Sequence, residues 1–347
     1  MALKISWTKV VLVILLLAFM AIEAYAVLTH YQGDLPLPPL FGNFETVRTT
    51  LQDAPPKETF SFAVLGDPRG GNGIFEEIVK KLRTAAPDFV VLLGDCSKAT
   101  EGRHRYFQAQ CAQECAMSCP MFYLVGNNDI DPEHFPLSRF EALYGPSLFS
   151  FEYQDCLFIA LRVVGDASDR ESIDFLTSFL DRETEKYRRV FVFMHIPPPV
   201  PGFDSKKFKA PGELMALFQQ LKVDYVFTGH YHGYARTQLG DTTYLITGGG
   251  GSPLERRKED IGQFYHGIVI GVGPDHVSER IMMVPRRYGW DEELEQFSIA
   301  SVYPMMARNW VTTCLLNIGL LFTLLGVTLS MRVRERLWHN LRTVLYL

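Results

Sequence analysis

Runs of lysine and arginine are missing from the interior of this 347-residue chain, whose formal net charge is -5 at pH 7. A nucleic-acid partner needs a cationic face, so no nucleic acid is expected. A complete disulfide framework is missing too. Of the six cysteines, Cys96, Cys111, Cys115, Cys119 and Cys156 fall in the middle region, an odd number. Cys111, Cys115 and Cys119 recur every four residues in "RYFQAQCAQECAMSCP", which would align them with Phe107 on one helix face. A metal or redox cluster is one reading of that row. The preferred one is small apolar side chains packing a helix onto a sheet, because free cysteine is commonly buried.

Charge is absent from two long segments. The first, Val10 to Ile22, continues past Glu23 to Leu28, long enough to cross a bilayer if Glu23 lies near one interface. The second, Trp310 to Met331, opens on a tryptophan and stops at Arg332. Lys4 and Lys9 flank the first run; Arg332, Arg334, Arg336 and Arg342 follow the second, and Asp291, Glu292, Glu293 and Glu295 precede it. That asymmetry puts both termini in the cytoplasm and the middle across the membrane. The competing expectation for the first run is a cleaved signal peptide ending in "EAYA", with small residues at Ala24 and Ala26. An uncleaved anchor is preferred.

Proline then marks a boundary: "LPLPP" and "DAPPKE" make 32–59 a stalk after an anchor at 1–31. From Phe60 onward, short apolar β-rich runs alternate with amphipathic helical segments: "TFSFAVLGD", "DFVVLLGD", "MFYLVGNND", "VFVFMHI", "DYVFTGH" and "YLITGGG". That alternation indicates an α/β fold with a largely parallel or mixed sheet. One catalytic domain is expected over 60–285, then a linker at 286–308, a transmembrane helix at 309–332 and a cytoplasmic tail at 333–347.

Asp67, Asp95, Asn127, His195 and His230 each stand at or just past the end of a separate apolar run. Sites in open α/β sheets gather outside the carboxyl ends of the strands, so these five side chains should converge. Aspartate, asparagine and histidine together suit manganese, iron or zinc. In "GHYH", His230 and His232 would point to the same side of an extended backbone, as chelation requires. Singly, each residue has a plainer explanation: Asp67 and Asp95 as turn formers, His195 as a hydrogen-bonded core histidine.

The order of these motifs resembles the calcineurin-like metallophosphoesterase family. Its pattern is D-x-H, G-D-x-x-D/N, G-N-H-D/E, a lone histidine and G-H-x-H; here stand "DPR", "GDCSK", "GNND", His195 and "GHYH", within Phe60 to Pro285. The resemblance implies a sandwich of two mixed β-sheets flanked by helices, here with one transmembrane helix at each end. It also implies one or two divalent ions, with Asp67, Asp95 and His232 serving one position and Asp95 bridging to a second held by Asn127, His195 and His230. Two residues depart from the pattern. Arg69 stands in the place of a histidine ligand, and a guanidinium has no lone pair for a metal. Asn128 stands in the place of a histidine that assists the leaving group, and an amide cannot donate a proton as an imidazolium does. Arg69 and Asn128 are therefore expected to contact the substrate phosphate, with one tightly held metal. Lys98 reads either as a phosphate contact or as a solvated loop lysine, the second narrowly preferred; His266 is expected as a satisfied sheet histidine rather than a strand residue approaching the site, and "ERRKED", 255–260, as an exposed loop.

The expected function is a membrane-anchored phosphoesterase acting through metal-activated water on a phosphomonoester or phosphodiester, which could be lipid- or glycan-linked. The alternatives are a catalytically degenerate phosphate- or metal-binding membrane scaffold, or a lipid-headgroup pyrophosphatase.

Overall fold

A computed structural model describes residues 7–33, 36–111, 115, 117–165, 168–180, 186–201, 208, 210–255, 261–328 and 333. Residues 256–260 of the expected charged loop, the arginines after residue 331 and the expected cytoplasmic tail beyond residue 333 lie outside them. The strands are β1 (Phe60–Leu65), β2 (Phe89–Leu92), β3 (Met121–Tyr123), β4 (Phe149–Tyr153), β5 (Cys156–Ala160), β6 (Arg189–Met194), β7 (Tyr225–Thr228), β8 (Tyr234–Leu239), β9 (Thr242–Thr247), β10 (Tyr265–Val272) and β11 (Val277–Val284). The helices are α1 (Trp7–Gly33), α2 (Glu45–Gln52), α3 (Asn72–Arg83), α4 (Glu101–Gln110), α5 (Leu137–Tyr144), α6 (Ser168–Thr177), α7 (Pro211–Gln220), α8 (Trp290–Phe297), α9 (Tyr303–Arg308) and α10 (Trp310–Thr328).

Two mixed sheets form, in the orders β11-β10-β1-β2-β3 and β4-β5-β6-β7-β9-β8. β1, β2 and β3 pair in parallel, as do β5, β6, β7 and β9, so their carboxyl ends share one edge of each sheet. The period-two geometry of a strand sorts β1 cleanly. Phe62 and Val64 enter the core between the sheets, while Ala63 and Leu65 lie under α3 and α4. The inter-sheet core is built on aromatic rings, among them Phe62 stacked on Phe89 with centroids 5.0 Å apart. A third cluster covers the other sheet with α6 and α7. Cys111, Cys115 and Cys119 are all buried in the cluster beneath α3 and α4, which is the packing role preferred for that row.

The chain divides into two compact units, one spanning Gln32–Gln296 and the other comprising Met1–Tyr31 and Phe297–Leu347. Within the second unit α1 and α10 expose their apolar side chains; Leu15 is 61 % and Phe322 68 % exposed. One described helix segment, Val10–Leu28, is long and apolar enough on its own to cross a membrane. The α10 helix meets that standard only together with the bent helical stretch that begins at Trp290.

The expected linker at 32–59 is packed within the larger unit, and so is the first part, 286–296, of the one expected at 286–308. Residues in 32–59 pair with the sheet: Phe41 bridges Met121, and Asn43 Nδ2 donates to the Tyr123 carbonyl while its Oδ1 accepts from the Tyr123 N–H, at 2.7 and 3.0 Å. Val47 and Leu51 of α2 enter the inter-sheet core. Prolines at both ends set this segment's entry and exit without preventing a two-turn helix between them. In 286–308, α8 lies against the domain through Glu292, Glu295 and Gln296, bonded to Gly73, Tyr106 and Arg103. An amphipathic two-turn helix is a weak pattern next to a long apolar run, so the sequence hides it.

Candidate metal centre

The polar residues expected at the strand ends do converge, and the backbone is strained where they do. Asp67, Asp95 and His230 take φ of 60°, 52° and 67°, a left-handed region that side chains rarely adopt. Each lies two or three residues past the end of a strand, after a glycine, and the turn brings a side chain or N–H back over the sheet edge. In "GHYH" the expected extended backbone is thereby overturned. His230 turns at positive φ, so its N–H donates to Asp67 Oδ2 at 2.8 Å.

Ligand atoms of Asp67, Asp95 and His195, all buried, lie within 4.8 Å of one another. His195 Nδ1 sits 2.8 Å from the Leu93 carbonyl, an acceptor only, so Nδ1 carries the hydrogen. Its Nε2 then presents a lone pair towards Asn127 Oδ1 at 3.2 Å and Asp95 Oδ1 at 3.4 Å. His232 is arranged alike: Nδ1 donates to the Pro253 carbonyl at 2.8 Å, and Nε2 faces Asp67 Oδ1 at 3.7 Å. Among the described residues, Asp67 Oδ1 is itself buried with no hydrogen-bond partner. Acceptors facing acceptors repel unless a proton or a cation lies among them. A divalent cation therefore fits this donor set, and carbonyl contacts behind histidine ligands are the usual way of fixing the tautomer.

The charges agree. Burial, then the neighbouring Asp95 charge, pushes the Asp67 carboxyl well above its ordinary range. Burial also acts to raise Asp95, but His195, the Asn128 hydrogen bonds and Arg69 outweigh it and hold that carboxyl low. The rings of His195 and His230 pack at 5.3 Å between centroids.

Asp129 is the functional residue that sequence reasoning missed. It is fully buried, and its carboxylate accepts from the N–H groups of Asp95, Gly126 and Ser97 at 2.7 to 2.9 Å and from the Tyr123 hydroxyl at 2.6 Å. Those bonds clamp the two ligand-bearing loops to each other. Its backbone carbonyl in turn meets His104 Nε2 at 2.8 Å. Burial, followed by the Asp95 charge, raises Asp129 to about 7. The signal was its place in "GNND", a carboxylate at a strand end; its partners Tyr123 and His104 carried no such signal. Gly126 permits the clamp, since a Cβ there would strike Asp95 N and Oδ1.

Arg69 turns into the site. Its Nη1 donates to Asn128 Oδ1 at 3.1 Å and its backbone N–H to the Asp95 carbonyl at 3.1 Å, while Nε is buried without a partner among the described residues. Asn128 holds Asp95 with both its N–H, at 2.8 Å, and its side-chain amide. His266 is buried between Thr247 and the Phe264 carbonyl and takes no part in the site.

Residues 60–234 match the family model described as calcineurin-like phosphoesterase. Among solved structures, a dimetal phosphatase from Danio rerio superposes with a TM-score of 0.52 at 14% identity, covering 65% of this chain and 96% of its own. GAP50, the anchor in the inner membrane complex of Plasmodium, superposes with a TM-score of 0.50 at 13% identity, covering 70% of this chain and 95% of its own. At such identities these structures establish the shared fold alone. No curated protein matches. With the family match spanning the ligand-bearing loops from Asp67 to His232, this chain belongs to the calcineurin-like phosphoesterase family.

Proposed function

We propose that the chain is a membrane-anchored, metal-dependent phosphoesterase that hydrolyses a phosphomonoester or phosphodiester. The observation that carries this reading is the convergence of Asp67, Asp95 and His195 with their lone pairs facing one another. Asp95, His195, Asn127 and His230 would hold one ion of manganese, iron or zinc tightly, with Asp67 and His232 alongside. A divalent ion there supplies Lewis acidity and a water of lowered pKa. The chain's own contribution is positional. Arg69 offers a guanidinium fork that matches two phosphate oxygens. Asn128 keeps that fork and Asp95 in register through the bonds described above. With no imidazolium to protonate the departing oxygen, good leaving groups are favoured; loss of a general acid costs about 10²- to 10⁴-fold on poor ones. Beside His232, whose Nδ1 bonds the Pro253 carbonyl, a cavity of about 780 Å³ lined by Pro253, Leu254 and Tyr288 has room for the organic part of an ester.

The test is hydrolysis of bis(p-nitrophenyl) phosphate and p-nitrophenyl phosphate by the full chain in detergent with each metal. Turnover that depends on metal and disappears in His195→Ala supports the enzyme. Absence of metal-dependent turnover, unchanged on that substitution, refutes it. That outcome would favour a second reading, a phosphate- or metal-holding scaffold, for which the Arg69–Asn128 contact in place of two family histidines speaks.

The membrane reading rests on the apolar helix Val10–Leu28 and the apolar α10, with the catalytic domain outside the cytoplasm. Reporters fused at residue 300 and at the C-terminus should fall on opposite sides of the membrane. A cytoplasmic report from residue 300 overturns that topology.

A further inference from the structure

Three cations stand beside the metal centre and none forms an ion pair with a carboxylate among the described residues; Arg69 alone feels the Asp67 and Asp95 charges, and Lys98 and Arg103 are left without a carboxylate beside them. Arg69 follows Asp67 by two residues, Lys98 follows Asp95 by three, and Arg103 lies in the first turn of α4. Backbone hydrogen bonds tie them into one surface: Arg69 N–H to the Asp95 carbonyl, Thr100 N–H to the Lys98 carbonyl at 2.7 Å, and Arg103 N–H to the Thr100 carbonyl at 3.1 Å. Elsewhere Arg48, Arg139, Arg170, Arg236 and Arg286 each have a carboxylate partner. Arg69 and Arg103 are instead anchored on neutral amides, Asn128 and Gln296, and so keep their full charge. Their fields overlap: burial, then Arg103 and Arg69, push the Lys98 ammonium down, and burial, then Arg69, does the same to Arg103. Three like charges held together and partly desolvated repel one another, and only an anion between them relieves that. The Tyr288 hydroxyl, 3.7 Å from the position a Cβ would take on Gly70, adds a neutral donor at the same edge.

We propose that Arg69, Lys98 and Arg103 form a second anion subsite beside the metal centre, which receives a further phosphate group, so that the ligand class is a diphosphate ester. This rests on the phosphoesterase reading. A bound cation together with Arg69 already balances a single phosphate, leaving Lys98 and Arg103 for the additional charge that a second phosphate carries. Such a group occurs both on membrane lipids and on soluble nucleotides.

The experiment is calorimetry on the full chain in detergent micelles, with manganese and again after chelation, using inorganic phosphate and methylenediphosphonate as probes. The intact protein should bind the diphosphonate at least about tenfold more tightly than phosphate, one charge-assisted contact's worth of affinity. Lys98→Ala, Lys98→Glu and Arg103→Gln should abolish that preference while phosphate affinity stays within about twofold. Lys98 is exposed on a loop, so its variants keep the fold. A diphosphonate that binds no better than phosphate, or a preference that survives in the Lys98 variants, overturns the subsite. If chelation leaves the affinity for both probes unchanged, the metal reading fails while the subsite stands. Displacement of the diphosphonate by a diacylglycerol diphosphate in mixed micelles or by a nucleoside diphosphate in solution separates the two sources. Displacement by neither overturns the proposal.

Discussion

Replacing Arg69 with histidine should turn a site that holds one metal ion tightly into one that holds two. The guanidinium reaches Asn128 Oδ1 at 3.1 Å, and Asn128 in turn holds Asp95, so the cation stands close to the position where Asp67, Asp95 and His232 would hold a second ion. At roughly 6 Å and an effective dielectric near 20, a unit charge repels a dication by about 5 kcal/mol. Solvent around this half-buried side chain reduces that to about 2 to 3 kcal/mol, or roughly a hundredfold in affinity. Arg69→His removes the repulsion and adds a lone pair. Elemental analysis of the purified full chain should give about one metal per chain for the native protein and a value rising towards two for the variant, with the new site saturating at least roughly a hundredfold lower metal concentration than in the native protein. Two metals per chain in the native protein, unchanged in the variant, would refute the reasoning.

Gly126→Ala places a methyl group against Asp95 N and Oδ1. The clamp on Asp129 must open, and metal binding should fall by at least about tenfold in calorimetric titration while the far-ultraviolet circular dichroism is retained. Asn43→Ala removes both partners of the Tyr123 backbone groups. It should cost about 2 to 4 kcal/mol in urea unfolding, whereas a stalk residue would cost nothing measurable. His104 and His266, buried and each lowered by that burial to about 4 from 6.5, make the fold sensitive to acid. Between those values the unfolded chain binds more protons than the folded one, so stability is present above pH 6.5 and is lost as pH falls towards 4. Each histidine should cost about 2 kcal/mol at pH 5 relative to pH 7.5. Asp129, raised to about 7, moves stability the opposite way over this interval, so the check is the difference between the native protein and His104→Phe or His266→Phe in metal-free urea unfolding: a variant that keeps the native pH dependence would contradict burial as a neutral ring.

Much of this molecule is legible from local chemistry. Apolar strands ending in Asp67, Asp95, Asn127, His195 and His230 announce an α/β sheet with a polar edge, because a strand's side-chain period and its terminating residue are both local properties. The burial of the cysteine row follows equally from its spacing. Asn43, Tyr123 and His104 show where that legibility stops. Asn43 and His104 act on the site through residues far away in the chain, Asn43 through the Tyr123 backbone and His104 through the Asp129 carbonyl, while Tyr123 reaches the Asp129 carboxylate only across the turn that carries the site. None of them has a neighbour in sequence that hints at its partner. The proline-rich segment misled for a related reason, since its helix is held by burial of Val47 and Leu51 between the sheets and not by propensity. The sequence determined which side chains could hold a metal. Tertiary structure decided that Asp129 would clamp their loops together and that Arg69 would face inwards, because both depend on which loops the two sheets bring into contact.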